Sequence, residues 1–305
     1  MSPLVHLVLI LVQILLASLA IAGKFVFREL PAPALVLFRV SGAATVLVAL
    51  WKFLGRSRIR NTRDLLFLAF LGLLGITANQ TLFLLGLQHT TAINATILVT
   101  TIPVFTVLGS ILMRREPPSS LKFAGMGLAA AGTVYLIGPD RISLAPETAL
   151  GNTLIVLGMV AYSTYLLLSK PMVERYGALT VTAHVMGFGA LGVLPVGFIT
   201  LARTPLTAVS PSTWLWIGYI IISPTILAYF LSLWALRRAS SNLVAVYIYL
   251  QPIFTALVAP LVLSGERVTT RAALAGAAIF AGVAMVVWAE HRLGPRADQL
   301  LPSSE

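Results

Sequence analysis

The 305-residue chain contains no cysteine, and only 10% of its residues carry a charged side chain. The absence of cysteine excludes disulfide bonds, thiolate metal ligands and a cysteine nucleophile. Soluble domains usually carry about 25% charged residues, so this composition does not suit a surface exposed to water. The sequence also contains neither a GxxxxGK[ST] phosphate loop nor an HExxH zinc helix, which excludes the enzyme classes built on those motifs.

Apolar residues dominate what is present. They make up 58% of the chain, and the mean hydropathy is +0.94. The apolar runs continue over roughly 20 residues, the length of a helix that crosses an ~30 Å hydrocarbon core. Strands of a membrane barrel would instead alternate apolar and polar residues. Because only helices and closed barrels satisfy the backbone in lipid, we predict an all-α integral membrane protein.

The apolar runs predict ten transmembrane helices. For the first of them, a cleaved signal sequence ending at residues 20–22 is the alternative. Lys and Arg are absent ahead of that point, which argues against a signal sequence. The predicted spans are residues 4–22, 34–50, 65–87, 92–113, 121–138, 150–168, 179–201, 214–236, 243–263 and 272–289.

The distribution of Lys and Arg predicts the orientation of the chain. With the N-terminus in the cytoplasm, fourteen of the 21 basic residues fall in cytoplasmic segments and six in external loops, as the positive-inside rule requires. The net charge of +11 is therefore a topology signal and an attraction to anionic lipid, not a nucleic-acid footprint. We predict a multi-pass protein of the cell (inner) membrane with both termini cytoplasmic and no nucleic-acid partner.

The second half of the chain resembles the first at an offset of 149 residues. LFLLGLQHTTAINATILVTTIPVFT at 82–106 aligns with LSLWALRRASSNLVAVYIYLQPIFT at 231–255. Each half contains five predicted helices, an odd number, so the second half must enter the membrane from the opposite side. We predict two inverted repeats, residues 4–140 and 150–290. This architecture places a binding site near the midplane, between the repeats.

Three stretches of the sequence resemble a known family. The run ending in IPVFTVLGSILMRRE, followed by the Gly-rich LKFAGMGLAAAGTVYLIG, is similar to the EamA-type repeat of the drug/metabolite transporter superfamily. The run ending in QPIFTALVAPLVLSGE, followed by AGAAIFAGVAMVVWA, resembles the same repeat. LVLFRVSGAATVL resembles the family's second helix, whose early arginine falls on Arg39. The resemblance implies ten helices around a central cavity and export of amino acids or other small metabolites, without specifying the substrate.

Polar side chains inside the apolar spans are the candidate substrate site, because such groups are costly in lipid and should face the bundle interior. Thr96, Thr100 and Pro103 share one helix face, and the matching face of the ninth helix carries Tyr249 and Pro252. Helix–helix packing is the competing explanation for the hydroxyls. The candidate cavity residues are Gln13, Asn79, Gln80, Thr96, Thr100, Tyr162, Tyr165, Tyr229 and Tyr249.

Prolines mark two further positions in the candidate site. Pro103 and Pro252 each remove one backbone hydrogen bond and are predicted to kink their helices. The kinks would either shape a cavity and act as hinges or serve packing alone. Gly75 and Pro224, also 149 positions apart, mark possible breaks in the third and eighth helices.

Charged and titratable side chains are rare inside the predicted spans. Arg39 is the one Lys or Arg well inside a span, and His184 is the one histidine. Arg39 either holds a substrate carboxylate or anchors a helix end. No Asp or Glu lies deep in a span, so the sequence offers no intramembrane carboxylate as a proton carrier. We therefore expect a uniport or facilitated-exit mechanism at least as readily as proton coupling.

These features predict a transmembrane transporter that exports a small metabolite, an amino acid or similar, by alternating access. No cofactor, metal or catalytic residue is expected. A carrier of nucleotide sugars or sugar phosphates is the alternative, although phosphate groups favour several cations. A non-transporting membrane protein that binds lipid or a partner is a second alternative. A membrane-embedded enzyme would need a clustered nucleophile, base or metal set, which the sequence does not offer.

Overall fold

The computed structural model describes residues 2–54, 58–90, 98–137, 146–254 and 270–297. Within these residues all regular elements are helical, which confirms the predicted all-α class. In chain order the α-helices are α1 (Pro3–Val26), α2 (Ala32–Phe53), α3 (Thr62–Gly72), α4 (Asn79–Gln88), α5 (Ile102–Leu112), α6 (Ser120–Ile137), α7 (Pro146–Tyr176), α8 (Ala178–Leu201), α9 (Pro211–Ile221), α10 (Ala228–Leu236), α11 (Ser241–Val246) and α12 (Thr270–Ala297).

Six helical stretches among the described residues are long and apolar enough to cross a bilayer. They correspond to the predicted spans two, three, six, seven, eight and ten. The other four predicted spans coincide with shorter apolar helices or with α6, so the total of ten remains a prediction. The six stretches are Ala32–Phe53, Thr62–Leu87, Thr148–Tyr176, Ala178–Leu201, Pro211–Leu236 and Ala273–Arg292.

Local capping chemistry sets several helix starts. The side chain of Asn61 accepts a hydrogen bond from the backbone at the start of α3, and Ser240 does the same for α11. Ser2 and Ser210 cap α1 and α9, each followed by a proline in the first turn, where a missing N–H costs nothing. Gly177, with φ of 79°, separates α7 from α8 because this backbone conformation favours glycine. Two long helices therefore meet at a one-residue turn.

A π-helical turn interrupts two of the spans. Leu73–Ala78 joins α3 to α4, and Ile222–Leu227 joins α9 to α10. The two turns start 149 positions apart, which is the offset of the sequence repeat. Gly75 lies in the first turn and Pro224 in the second. A π turn accommodates one extra residue, and such turns occur frequently at functional sites.

The two proline positions of the candidate site follow segments that are not α-helical. Pro103 lies in the first turn of α5, after the turn residues Thr100 and Thr101. Pro252 follows a 3₁₀ turn at Tyr247–Leu250. The regular α-helical pattern of the chain is therefore interrupted close to both prolines.

Glycines bring α6 and α12 into backbone contact. A Cβ atom at Gly125 would lie 2.7 Å from the carbonyl oxygen of Gly282, and one at Gly282 would lie 2.5 Å from the carbonyl oxygen of Gly125. Small residues allow this kind of close helix crossing in membrane proteins. α2 packs against α8, and α4 packs against α7. Elements of the two halves of the chain are therefore interleaved rather than separate.

Candidate functional site

One face of α7 carries the centre of the candidate site. Gly158, Tyr162, Tyr165 and Ser169 follow one another at spacings of four, three and four residues, so they form a stripe on one side of the helix. Asn79 donates from Nδ2 to the Gly158 carbonyl oxygen at 3.0 Å. The Ser169 hydroxyl donates to the Tyr165 carbonyl oxygen at 2.6 Å. The buried amide of Asn79 therefore binds α4 to α7.

Four predicted residues form one cluster in the interior. The rings of Tyr162 and Tyr165 pack with their centroids 5.7 Å apart. Arg39 on α2 lies near Tyr162 and near Tyr229 on α10, and Tyr229 lies near Tyr165. Arg39, Tyr165 and Tyr229 are 7%, 2% and 8% exposed. We call Arg39, Tyr162, Tyr165 and Tyr229 the arginine–tyrosine cluster; its side chains come from both halves of the chain.

Thr225, in the second π turn, positions the arginine of this cluster. Its hydroxyl donates to the carbonyl oxygen of Ile220 at 2.7 Å and accepts a hydrogen bond from Arg39 Nε at 2.9 Å. Thr225 was not among the residues selected from the sequence. Its position beside Pro224 in a span is the signal that could have identified it.

Other candidates are not members of the cluster. Gln13 is buried, and its side-chain oxygen accepts a hydrogen bond of 2.8 Å from Gln251 Nε2, so this pair connects α1 to the segment after the 3₁₀ turn. Tyr249 is 0% exposed, and its hydroxyl has no partner within the described part of the chain. Thr100 is buried and Gln80 is half-buried. Thr96 lies outside the described residues.

Six of the candidates form three pairs that are 149 positions apart. Of these pairs, only the last was predicted from the sequence. On the predicted repeat, these polar residues would occupy equivalent places in the two halves. The pairs are Gln13 with Tyr162, Gln80 with Tyr229, and Thr100 with Tyr249.

His184 has a separate environment. Its Nδ1 atom lies 2.8 Å from the carbonyl oxygen of Thr180, a geometry in which Nδ1–H donates. Its ring meets Trp51 edge-on, with centroids 4.7 Å apart. These contacts hold the imidazole between α8 and the end of α2. They do not include a member of the arginine–tyrosine cluster.

A polar network joins the two halves away from the cluster. Lys122 Nζ lies 2.5 Å from a carboxylate oxygen of Glu116 and 2.5 Å from one of Glu290. Asn242 Nδ2 donates to Glu116 at 2.6 Å, and the Ser110 hydroxyl donates to Asn242 Oδ1 at 3.0 Å. We call these five residues the Lys122 network. It connects α5 and α6 to α11 and α12.

An open groove runs along the C-terminal half of α2. Its volume is about 640 Å³, its lining is mainly apolar, and it contains no candidate residue. Within the described residues no group of three or more His, Asp or Glu side chains could hold a metal ion. The groove is lined by Ala44, Thr45, Val48, Ala49, Lys52 and Phe53.

Comparison with known proteins identifies the family. The model of the EamA-like transporter family matches residues 3–138 and 149–288. A solved crystal structure with 22% sequence identity superposes with a TM-score of 0.79 and covers 96% of this chain and 99% of its own. At that identity the likeness supports the fold alone. The chain belongs to the EamA-like transporter family, and the predicted resemblance to this family is confirmed.

Two of the similar proteins are named as a transporter and an exporter. An uncharacterized transporter of Archaeoglobus fulgidus is 30% identical over 294 residues, covering 96% of this chain and all of the relative. A probable terminal-alkyne amino-acid exporter of Streptantibioticus cattleyicolor is 28% identical over 277 residues, covering 88% of this chain and 87% of the relative. Family and relatives together establish a multi-pass membrane transporter rather than an enzyme, with a small-molecule substrate and a lipid environment.

Proposed function

We propose that this transporter exports a small metabolite, an amino acid or a similar compound, across the cell (inner) membrane by alternating access. The arginine–tyrosine cluster carries this proposal, because it places polar groups from both halves of the chain inside an apolar bundle. Buried polar groups in membrane spans commonly mark a substrate pathway. The name of the Streptantibioticus relative supports an amino acid as substrate.

We propose ten spans arranged as two inverted repeats, 4–140 and 150–290, with both termini in the cytoplasm. Two observations support the repeat. The family model matches the chain in two separate stretches, and π turns interrupt both halves at positions that differ by 149. The excess of Lys and Arg in one set of loops supports the orientation. A site between inverted repeats is reached from either side when one repeat rocks against the other.

The Lys122 network is proposed to close the cytoplasmic end of the pathway. It joins α5 to α11 through Ser110 and Asn242, so opening at this end requires that hydrogen bond to break. The chain has no cysteine, so a Ser110→Cys/Asn242→Cys pair can be oxidised without competing thiols. We expect oxidation to stop transport and reduction to restore it, whereas each single variant remains insensitive to oxidant. Full transport through the cross-linked protein would contradict closure at this position.

The transport function is tested by reconstitution. Purified protein in liposomes is assayed for efflux of labelled amino acids, nucleotide sugars and sugar phosphates, with empty liposomes as control. We expect one or more amino acids or related compounds to move. Movement of the phosphorylated compounds alone would favour the carrier alternative, and no movement of any compound would favour a lipid- or partner-binding protein. Flux measured with and without a pH gradient distinguishes uniport or facilitated exit from proton coupling.

A further inference from the structure

We propose that Arg39 binds the carboxylate group of the transported metabolite, which makes the substrate an organic acid or an amino acid. This inference rests on the proposed transport function and specifies the chemistry of its site. It goes beyond the family assignment, because the family does not determine which group of a substrate is recognised or by which residue.

Arg39 has no acidic partner among the described residues. The residue is 7% exposed, yet none of the ion pairs among the described residues includes it. An arginine side chain has five N–H donors, and within the described part of the chain Arg39 makes one hydrogen bond, from Nε to Thr225. A buried charge without a partner is costly. A bound anion would supply the missing partner.

The free donors of Arg39 are at the end of its guanidinium group. Thr225 accepts the hydrogen bond from Nε and donates its own hydrogen to Ile220, so this contact restrains the orientation of the guanidinium. The two terminal nitrogens, Nη1 and Nη2, are left to donate side by side. A carboxylate matches such a pair with two parallel hydrogen bonds. The Tyr249 hydroxyl is a polar atom that is closed off from solvent and has no partner in the described chain. No nitrogen atom of Arg39 is closed off without a partner in this way.

The surroundings of Arg39 suit a single carboxylate. Arg39 is the one Lys or Arg well inside a predicted span, and one cation suits a carboxylate better than a phosphate group, which favours several. Tyr162 and Tyr229 lie near Arg39 in the arginine–tyrosine cluster. Their rings and hydroxyls offer an apolar wall and further hydrogen bonds to the remainder of a small acid. The site therefore recognises one carboxylate next to an apolar or aromatic group.

The test compares probes that share a side chain and differ in the carboxylate or in the amino group. Wild-type protein in liposomes is assayed for efflux of L-phenylalanine, L-phenylalaninamide and 3-phenylpropanoate, and the same set is built on leucine. We expect both compounds with a carboxylate to move at least about tenfold faster than the amide of the same series, because the amide cannot accept two parallel charge-assisted hydrogen bonds from Arg39. Equal movement of acids and amides would overturn the inference while leaving the transport function intact.

Variants test the residue itself. We expect Arg39→Gln to abolish the preference for acids and Arg39→Lys to retain part of it, since lysine keeps the charge but not the paired donors. Thr225→Val keeps the charge and removes the bond that orients it, so the KM for the acid should rise. An unchanged preference in a folded Arg39→Gln protein would contradict the assignment. If no probe moves through the wild-type protein, the proposed function fails and the inference fails with it.

Discussion

The ring of Tyr165 lies directly on Gly75: a Cβ atom at position 75 would be 2.3 Å from Cγ of that ring. Gly75 belongs to the first π turn and Tyr165 to the central face of α7. This close approach packs the first π turn against the face of α7 that carries the candidate site. The shape of the π turn and the position of the aromatic ring therefore depend on each other.

Substitution of Gly75 by alanine should destabilise the protein. The added methyl group cannot fit without moving the Tyr165 ring, and overpacking of this kind costs about 1–3 kcal/mol. Thermal unfolding in detergent, followed by intrinsic fluorescence, is expected to show a midpoint several degrees lower. Gly218→Ala is the matched control in α9, because no atom lies within 4 Å of a Cβ placed there. An unchanged midpoint for Gly75→Ala would show that the ring moves freely.

Removal of the cation from the Lys122 network should have a larger effect. Lys122→Met leaves two carboxylates, Glu116 and Glu290, with side chains only 16% and 11% exposed. Removing one partner of a buried ion pair, which leaves the other charge unpaired, costs about 3–5 kcal/mol. The free energy of unfolding, measured by denaturant titration in detergent, should fall by that amount.

Two further variants test whether the lost stability comes from the unpaired charges. Adding Glu116→Gln and Glu290→Gln to Lys122→Met removes the unpaired charges and should recover part of the lost stability. Lys52→Met, at an exposed position, should change stability by less than about 1 kcal/mol. If the triple variant is no more stable than the single one, the unpaired carboxylate charges are not the cause of the lost stability.

Tyr249→Phe separates stability from transport. The Tyr249 hydroxyl is buried and has no partner among the described residues, so its removal relieves an unpaired polar group, a state that costs about 1–3 kcal/mol. We expect the unfolding midpoint to stay the same or rise, while the flux of a transported substrate falls about tenfold if the hydroxyl binds it. Tyr219→Phe, at an exposed hydroxyl bonded to Ser18, is the control. Unchanged flux would exclude Tyr249 from the site.

Stability should depend on pH through Glu29. This exposed carboxylate accepts two hydrogen bonds from Ser210, from its backbone N–H at 2.7 Å and its hydroxyl at 2.8 Å. These bonds lower the pKa of Glu29 below its ordinary value of 4.5. A lowered pKa adds stability that is present above the unfolded-state value and is lost as pH falls through the folded-state value.

The corresponding measurement is a pH series of unfolding midpoints for wild type and Glu29→Gln. We expect the wild-type protein to be the more stable at pH 7 and the difference to shrink as the pH falls below about 4.5. A constant difference across the series would show that the contact does not depend on the charge.

The class and family of this protein follow from the sequence because they depend on composition and on long, ordered patterns. The members of the arginine–tyrosine cluster could also be selected, since polar groups inside apolar spans are rare. What they contact was not predictable. Arg39 binds Thr225, which lies 186 residues further along the chain. The spacing of neighbouring residues in the sequence cannot predict a contact of this kind.

Helix periodicity also fails at the π turns. Spacing rules assume 3.6 residues per turn, and one extra residue rotates the following side chains by about 100°. Gln80 and Tyr229 both lie just after such a turn. The side of the helix on which each of them lies could therefore not be derived from the residues that precede it.

The π turns also bear on the history of the chain. A π turn is equivalent to one residue inserted into an α-helix, and here the same insertion occurs at Leu73–Ala78 and Ile222–Leu227. On the proposed repeat, a single insertion in an ancestral half, followed by duplication, accounts for both. The irregularity would then be older than the two-repeat protein, and the symmetry of the fold would have preserved it.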